Sequence, residues 1–277
     1  MSDCKERTIA LLTDFGLKGA HYVASMKAVI YKIKPTVKII DISHSVAPFS
    51  IIEASYILKS TYSYFPEETI FIVVVDPGVG SDRKILILKT KDNYYFIGPD
   101  NGIFSLALNS NISHCFIAKN EEYFRKPTSN TFHGRDIMGP LAAYISSGVP
   151  LENLGPPLNF TDIIKSSLIY KINIDDKIIK CTIQYIDDFG NLVTNIKLKN
   201  NKIDNTNFHL KQNQKITISI DNKDYNCVYT SYFTAVPNNS LLIIKGSTGY
   251  LEISINQGNA SNKLKITSGD IIIVKLD

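Results

Sequence analysis

The chain has 277 residues, of which 44% are hydrophobic and 20% charged, a composition that favours a globular protein over a disordered one. The net charge of +4 is scattered, with no basic stripe interleaved with aromatic residues, so nucleic-acid binding is not indicated. No apolar stretch could span a bilayer, and the polar residues 1–7 show no signal segment. The four cysteines form no Cys-x-x-Cys pair, which favours reduced thiols. We therefore expect a cytoplasmic protein that does not bind membranes.

The first 75 residues alternate between strand and helix patterns. Runs of β-branched apolar residues predict strands at 8–12, 37–42 and 70–75, and apolar residues at helical spacing predict helices at 22–33 and 51–64. The run at 70–75 is continuously apolar, as expected of a strand that is covered on both faces. This β-α-β-α-β order predicts parallel pairing with right-handed connections.

Two acidic residues follow buried strands of this predicted sheet. Asp76 begins the turn Asp76-Pro77-Gly78 after the third strand, and Asp14 follows the first strand. Ligands of open α/β sheets bind at the carboxyl ends of the strands, so both carboxylates are candidate site residues. Asp14 could accept hydrogen bonds from a ribose diol or cap the next helix. No Gly-x-Gly-x-x-Gly follows the first strand, so dinucleotide binding of the usual kind is not indicated.

Arg83 and His133 are the next candidates. A return turn of seven residues can bring Arg83 back beside Asp76, although a purely structural ion pair would explain the same spacing. His133 lies in a Gly-containing loop before a predicted helix at 137–145, where the helix dipole favours a neutral imidazole. No metal-ligand spacing and no Gly-x-Ser-x-Gly nucleophile elbow is present.

The pattern changes near residues 164–170. Beyond it, short β-like runs separated by Asn-, Asp- and Gly-rich turns predict an all-β module, either a sandwich or a small barrel. The polar stretch 198–207 is predicted to be a surface loop. The turns at 185–191 and 256–261 combine polar residues with glycine, and ordinary hairpin chemistry is sufficient to explain both.

Seven of these stretches, in this order, resemble the S-adenosyl-L-methionine (SAM) hydroxide adenosyltransferases, which are relatives of the fluorinase and chlorinase enzymes. The stretches that carry the resemblance lie at 12–16, 41–44, 75–80, 98–102, 131–136, 186–191 and 258–260. The resemblance implies an α/β amino-terminal domain with a mostly parallel central sheet over residues 1–168. It implies a β-barrel carboxyl-terminal domain over residues 169–277.

The resemblance also implies an activity. Members of this family convert SAM and water into adenosine and L-methionine, without a metal or another cofactor. They form homotrimers that hold SAM between the first domain of one subunit and the second domain of its neighbour. The expected partners are thus SAM, water and two further copies of the chain.

The site residues that the resemblance implies fall into two groups. The catalytic trio matches Asp76, Arg83 and His133, the three residues that their positions in the sequence also indicate. The matched substrate-binding residues are Asp14 at the ribose, Asp187 near the methionine end, Phe189, Asn191, Asn259 and Ala260 at the adenine, and Phe49 and Phe233 as pocket walls. Arg83 would stabilise the developing anion, and either Asp76 or His133 would take the proton of the attacking water.

Two alternative functions stay open at this point. A halogenase would use chloride in place of water, but halogenating relatives carry aromatic residues where this chain has Asp76 and His133. They also carry a serine where it has Gly134. A non-catalytic protein that binds adenosine or SAM would share the binding residues and leave SAM intact.

Overall fold

The structure is a computed structural model that describes residues 7–276. The chain divides into two compact units, and the division falls between Ser166 and Ser167. Each unit has its own hydrophobic core. None of the helices in the described part of the chain is both long and apolar enough to cross a membrane.

The first unit contains a six-stranded, mostly parallel sheet, as predicted. Its strands are β1 (Thr8–Thr13), β2 (Lys38–Ser43), β3 (Ile70–Val74), β4 (Ile85–Thr90), β5 (Tyr95–Pro99) and β6 (Ile112–Ile117). The strand order is β2-β1-β3-β5-β4-β6. The first four strands in this order pair in parallel, and β4 pairs antiparallel with both β5 and β6. The carboxyl ends of β2, β1 and β3 therefore lie side by side at one edge of the sheet.

Helices cover both faces of this sheet. They are α1 (Ala20–Ile33), α2 (Ile51–Thr61), α3 (Ile103–Leu108) and α4 (Gly139–Ser146), with a π-helix at Gly134–Met138. Short 3-10 helices occur at Leu17–Gly19, Tyr62–Tyr64, Asn109–Asn111, Glu121–Tyr123, Leu151–Leu154 and Phe160–Asp162. Alternate residues of β3 enter two separate cores, Ile72 beside α1 and α4 and Phe71 beside α2 and α3. This two-sided burial explains why the strand is continuously apolar.

The second unit is a closed barrel. Its strands are β7 (Tyr170–Asn173), β8 (Ile178–Ile186), β9 (Leu192–Lys199), β10 (Lys202–Ile203), β11 (Lys215–Ile220), β12 (Lys223–Thr230), β13 (Leu241–Lys245), β14 (Tyr250–Ile255) and β15 (Ile271–Leu276). Seven of them close in the order β9-β14-β13-β12-β11-β15-β8 through the β8–β9 hairpin, with β10 and β7 outside the ring. Of the two predicted β architectures, the barrel is therefore the observed one.

Two segments of the second unit differ from the sequence prediction. The stretch 256–261 was predicted to be a turn, but a short helix α5 (Ala260–Leu264) begins within it. Five residues are too few to give a helical repeat, so only its cap residue, Asn259, could have indicated it. The predicted loop 198–207 contains β10, which pairs with β9. A 3-10 helix lies at Phe233–Ala235.

Candidate active site

Asp76, Arg83 and His133 meet at the carboxyl end of β3. The chain turns after Asp76 through hydrogen bonds from Val79 N to Asp76 O (3.3 Å) and from Ser81 N to Gly78 O (3.1 Å). This turn returns Arg83 so that its Nη2 donates a hydrogen bond to Asp76 Oδ2. The same Nη2 lies 3.2 Å from His133 Nδ1. One guanidinium nitrogen thus joins the carboxylate and the imidazole.

The turn depends on a glycine at position 80. Gly80 has φ +81°, a left-handed conformation in which a side chain is strained. A Cβ at this position would also clash with the carbonyl oxygen of Asn130, three residues before His133. The glycine therefore permits the close approach of the Asp76 turn to the loop that carries His133.

Arg83 fixes the protonation state of His133. A guanidinium N–H can only donate, so His133 Nδ1 must accept and the ring proton lies on Nε2. Burial lowers the pKa of His133, and the positive charge of Arg83 lowers it further. The imidazole is therefore neutral, with its Nδ1 lone pair occupied and its Nε2 available as a donor.

Asp76 has one carboxylate oxygen without a partner. Its side chain is 4% exposed, and Oδ1 has no hydrogen-bond partner within residues 7–276. Burial raises the pKa of Asp76 against the opposing effects of Arg83 and the Gly78 amide. Since buried polar atoms are normally hydrogen-bonded, Oδ1 is a candidate acceptor for a hydrogen bond from water or a ligand.

Asp136 anchors the segment that carries His133, and the sequence analysis missed it. Its fully buried carboxylate accepts hydrogen bonds from Arg125 Nη1 (3.1 Å), Arg135 Nε (2.7 Å) and the Ser129 amide (2.9 Å). Burial would raise the pKa of Asp136, but these hydrogen bonds and the two arginine charges hold it below its ordinary value. The sequence signal that could have identified Asp136 is an acidic residue directly after His-Gly-Arg, in the first turn of the following helix.

Asp14 lies at the end of β1 and faces the same cavity as Asp76 and His133. Asp14 Oδ2 accepts a hydrogen bond from the amide of Phe49 (2.9 Å), and Phe49 adopts φ +65° with a 67% exposed side chain. The cavity has a volume of about 170 Å³ and is lined by Asp14, Phe15, Phe49, Val74, Asp76, Val79, Thr131, Phe132, His133 and Gly134. Two acids, an imidazole and three phenyl rings thus surround one space.

The second unit gathers five of its six predicted residues at one end of the barrel. In the β8–β9 hairpin, Asp187 accepts hydrogen bonds from the Asn191 backbone (2.9 Å) and from its side-chain amide (2.8 Å), and Phe189 is 78% exposed. This hairpin packs against the start of α5, where Ser261 N donates to Gly190 O (3.0 Å). Two more predicted residues lie at the start of α5: Asn259, which caps the helix, and Ala260, its buried first residue.

The remaining predicted residue of this unit, Phe233, lies on the 3-10 helix and is 41% exposed. Two clefts of the second unit, of about 520 and 580 Å³, are larger than the cavity at Asp76. Both surround residues 207–209 and contain none of the predicted site residues, so volume alone does not identify the site.

Comparison with known proteins identifies the class to which this fold and site belong. The SAM hydroxide adenosyltransferase amino-terminal domain model matches residues 9–155, and the corresponding carboxyl-terminal domain model matches residues 181–273. The chain therefore belongs to the SAM hydroxide adenosyltransferase family.

Individual relatives show which members of this family the chain is similar to. The chain is 35% identical over 269 residues to the (R)-S-adenosyl-L-methionine hydrolase of Methanocaldococcus jannaschii, an alignment that covers 93% of this chain and 92% of the relative. It is 24% identical over 212 residues to a fluorinase of Actinoplanes sp., with 68% and 71% covered. The crystal structure of an uncharacterized conserved protein from Thermotoga maritima superimposes with a TM-score of 0.86 at 36% identity, covering 97% of this chain and all of the other.

Proposed function

We propose that the protein hydrolyses SAM to adenosine and L-methionine by in-line attack of water at C5′ of the adenosyl group. The observation that carries the proposal is the buried, unpartnered Oδ1 of Asp76, a residue that lines one cavity with Asp14 and His133. The match to a named SAM hydrolase over nearly the whole length of both chains supports the same activity.

The chemistry suits an aromatic cavity. SAM is a sulfonium cation, and its thioether leaves as a neutral group when a nucleophile attacks C5′. The attacking oxygen is partly anionic and the sulfonium is positive, so both charges disappear as the O–C5′ bond forms. A site that excludes water favours a step in which charge is lost. The rings of Phe15, Phe49 and Phe132 line the cavity and can tolerate the sulfonium. Because the leaving group departs neutral, the reaction requires neither a metal nor a redox cofactor.

We assign the proton of water to Asp76 rather than to His133. The Nδ1 lone pair of His133 is directed to Arg83 and its Nε2 carries a proton, so the imidazole can orient water only as a donor. Asp76 has a free oxygen and a raised pKa, both of which suit a general base. One O–H bond of water breaks toward Asp76, the O–C5′ bond forms, and the C5′–S electron pair returns to sulfur. Arg83 stabilises the negative charge that develops during transfer.

Substrate binding uses both units in this proposal. The oxygen of Asp14 that does not contact Phe49 receives the ribose hydroxyls. Phe189, Asn191, Asn259 and Ala260 hold the adenine, Asp187 lies near the methionine end, and Phe49 and Phe233 form walls. The protein acts as a cytoplasmic homotrimer in which the first unit of one subunit and the second unit of its neighbour share each SAM.

The decisive experiment is product analysis after incubation of the protein with SAM in ¹⁸O-labelled water. We expect adenosine and L-methionine, with the label on the adenosine O5′. Label-free adenosine would contradict attack by water, and intact SAM despite binding would indicate the binding-protein alternative. A 5′-chloro product that appears only when chloride is present would indicate the halogenase alternative.

A further inference from the structure

The motif at 41–44 takes no part in the proposed reaction, yet its side chains form a connected chain of contacts beneath Asp14. Thr13 Oγ1 lies 3.0 Å from His44 Nδ1. On the other side of the ring, His44 Nε2 lies 3.2 Å from Asp41 Oδ1, a close contact without hydrogen-bond geometry. Lys27 of α1 donates to Asp41 Oδ2 at 2.6 Å. We call the Asp41, His44 and Thr13 contacts the strand-end relay.

The strand-end relay has the hydroxyl–imidazole–carboxylate order of a nucleophilic triad, but it cannot act as one. Thr13 is fully buried, so no substrate can reach its oxygen. Its Oγ1 also accepts a hydrogen bond from the Phe15 amide at 3.4 Å. The two contacts of the hydroxyl, to the His44 ring and to the amide of Phe15, are thus both internal to the fold, which indicates a positioning role.

The backbone around the relay joins two loops. Gly16 N donates to His44 O (2.7 Å), and Val46 N donates to Thr13 O (3.4 Å). Phe49 N donates to Asp14 Oδ2 (2.9 Å), so the loop after β2 also holds the Asp14 carboxylate directly. Asp14 therefore lies where contacts of Thr13, His44 and Phe49 join the end of β1 to the loop after β2.

Charge keeps the relay in one orientation. Burial would raise the pKa of Asp41, but the hydrogen bond from Lys27, the nearby His44 ring and the charge of Lys27 hold it below its ordinary value. An ionised Asp41 favours a proton on the facing Nε2, so His44 Nδ1 accepts from the Thr13 hydroxyl. The Thr13 oxygen then has a lone pair for the Phe15 amide.

We propose that Asp41 and His44 are positioning residues that fix Asp14 through Thr13 and thereby set the recognition of the ribose hydroxyls. The inference rests on the proposed function because Asp14 is the ribose ligand in that proposal. His44 differs from a catalytic residue in that it contacts neither the cavity lining at Asp76 nor His133.

The test measures ribose recognition by calorimetry, with adenosine and 2′,3′-dideoxyadenosine as probes, and does not depend on turnover. The wild-type protein should prefer adenosine. Thr13→Val and His44→Ala should each reduce that preference about tenfold, the effect of losing one charge-assisted contact. Asp14→Ala should abolish the preference, and adding His44→Ala to it should cause no further loss, since both act through one carboxylate.

Three variants separate positioning from general damage. Thr13→Ser keeps the hydroxyl, and His44→Asn keeps a polar atom near the Nδ1 position, so both should retain most of the preference. His114→Ala is the matched control, because His114 Nδ1 also contacts a hydroxyl, that of Ser113 at 3.1 Å, but at exposed positions of β6. It should leave the preference unchanged.

The outcomes distinguish this inference from the proposed function. A wild-type protein that does not bind adenosine would overturn the proposed function and the relay together. A wild-type preference that persists in folded His44→Ala and Thr13→Val would overturn the relay alone. If His44→Ala does not fold, the volume-conserving Thr13→Val and its Thr13→Ser partner decide the question.

Discussion

The predicted catalytic residues of the first unit and the predicted aromatic residues of the second unit differ in exposure. In the first unit, the side chains of Asp76 and Arg83 are 4% and 9% exposed and bind each other within the fold. In the second unit, Phe189 and Phe233 are 78% and 41% exposed. The predicted catalytic residues of the first unit are therefore brought together by the fold of that unit. We expect changes at Asp76 and Arg83 to affect the rate, and changes at Phe189 and Phe233 to affect affinity.

Asp76→Asn should give the largest effect. The amide nitrogen or oxygen cannot accept a proton from water, so we expect kcat to fall by about 10³-fold or more, within the range expected for loss of a general base. SAM should still bind with nearly wild-type affinity, because the amide keeps the shape of the cavity. Single-turnover kinetics with equilibrium binding of SAM measures both quantities, and a variant with near-normal kcat would refute the assigned base.

The pH dependence of kcat tests the same assignment. Asp76 must be ionised to accept a proton and its pKa is raised, so kcat should fall on the acid side at a higher pH than an ordinary aspartate would give. The decrease should be about tenfold per pH unit below that pKa. Burial and the charge of Arg83 lower the pKa of His133, and its Nδ1 is occupied by the Arg83 contact, so protonation of the ring is disfavoured.

A second-unit carboxyl provides the control for this profile. Burial, together with Asp187, raises the pKa of Glu252 on β14 to about 7, which makes Glu252 the rival titrating group. Glu252→Gln should leave the acid limb of kcat in place. If the acid-side decrease of kcat disappears in that variant, the titrating group is Glu252 of the second unit and not Asp76 of the first. The rate would then depend on the second unit as well.

Phe189→Ala should show the opposite pattern to Asp76→Asn. Removing an exposed ring that stacks on a ligand should raise KM for SAM by about tenfold, since stacking on an aromatic side chain contributes roughly 1–3 kcal/mol. The kcat should change little and Tm hardly at all, because the ring is 78% exposed. Tyr64→Ala is a suitable control, since that ring is 81% exposed and belongs to the first unit away from the cavity lining. Equal KM values for both variants would remove Phe189 from the site.

The sequence was sufficient to predict the first three strands of the first unit and the approach of Asp76, Arg83 and His133. Parallel strands end at one edge, and the Pro-Gly turn limits where Arg83 can return. The sequence was insufficient to predict contacts that depend on side-chain packing. The carboxylate of Asp136 binds Arg125 across an irregular segment that contains a π-helix. The tautomer of His133 is set by one guanidinium nitrogen of Arg83, fifty residues away. Helix α5 was missed because a five-residue helix gives no periodic pattern.

Gly190→Ala should have the smallest effect of these changes, and it tests how the second unit holds its recognition residues. Gly190 has φ +81°, and a Cβ there would meet the side chain of Asn259. Left-handed strain in a non-glycine residue costs about 1–2 kcal/mol, so Tm should fall by several degrees. Displacement of Asn259 should raise KM severalfold while kcat stays near its wild-type value. Gly249→Ala is the matched control because Gly249 has φ +83° in the same unit but open space around the added Cβ, with Leu198 O at 3.8 Å. It should lower Tm similarly and leave KM unchanged, whereas a raised KM in both variants would mean that loss of stability alone, and not the position of Asn259, governs affinity.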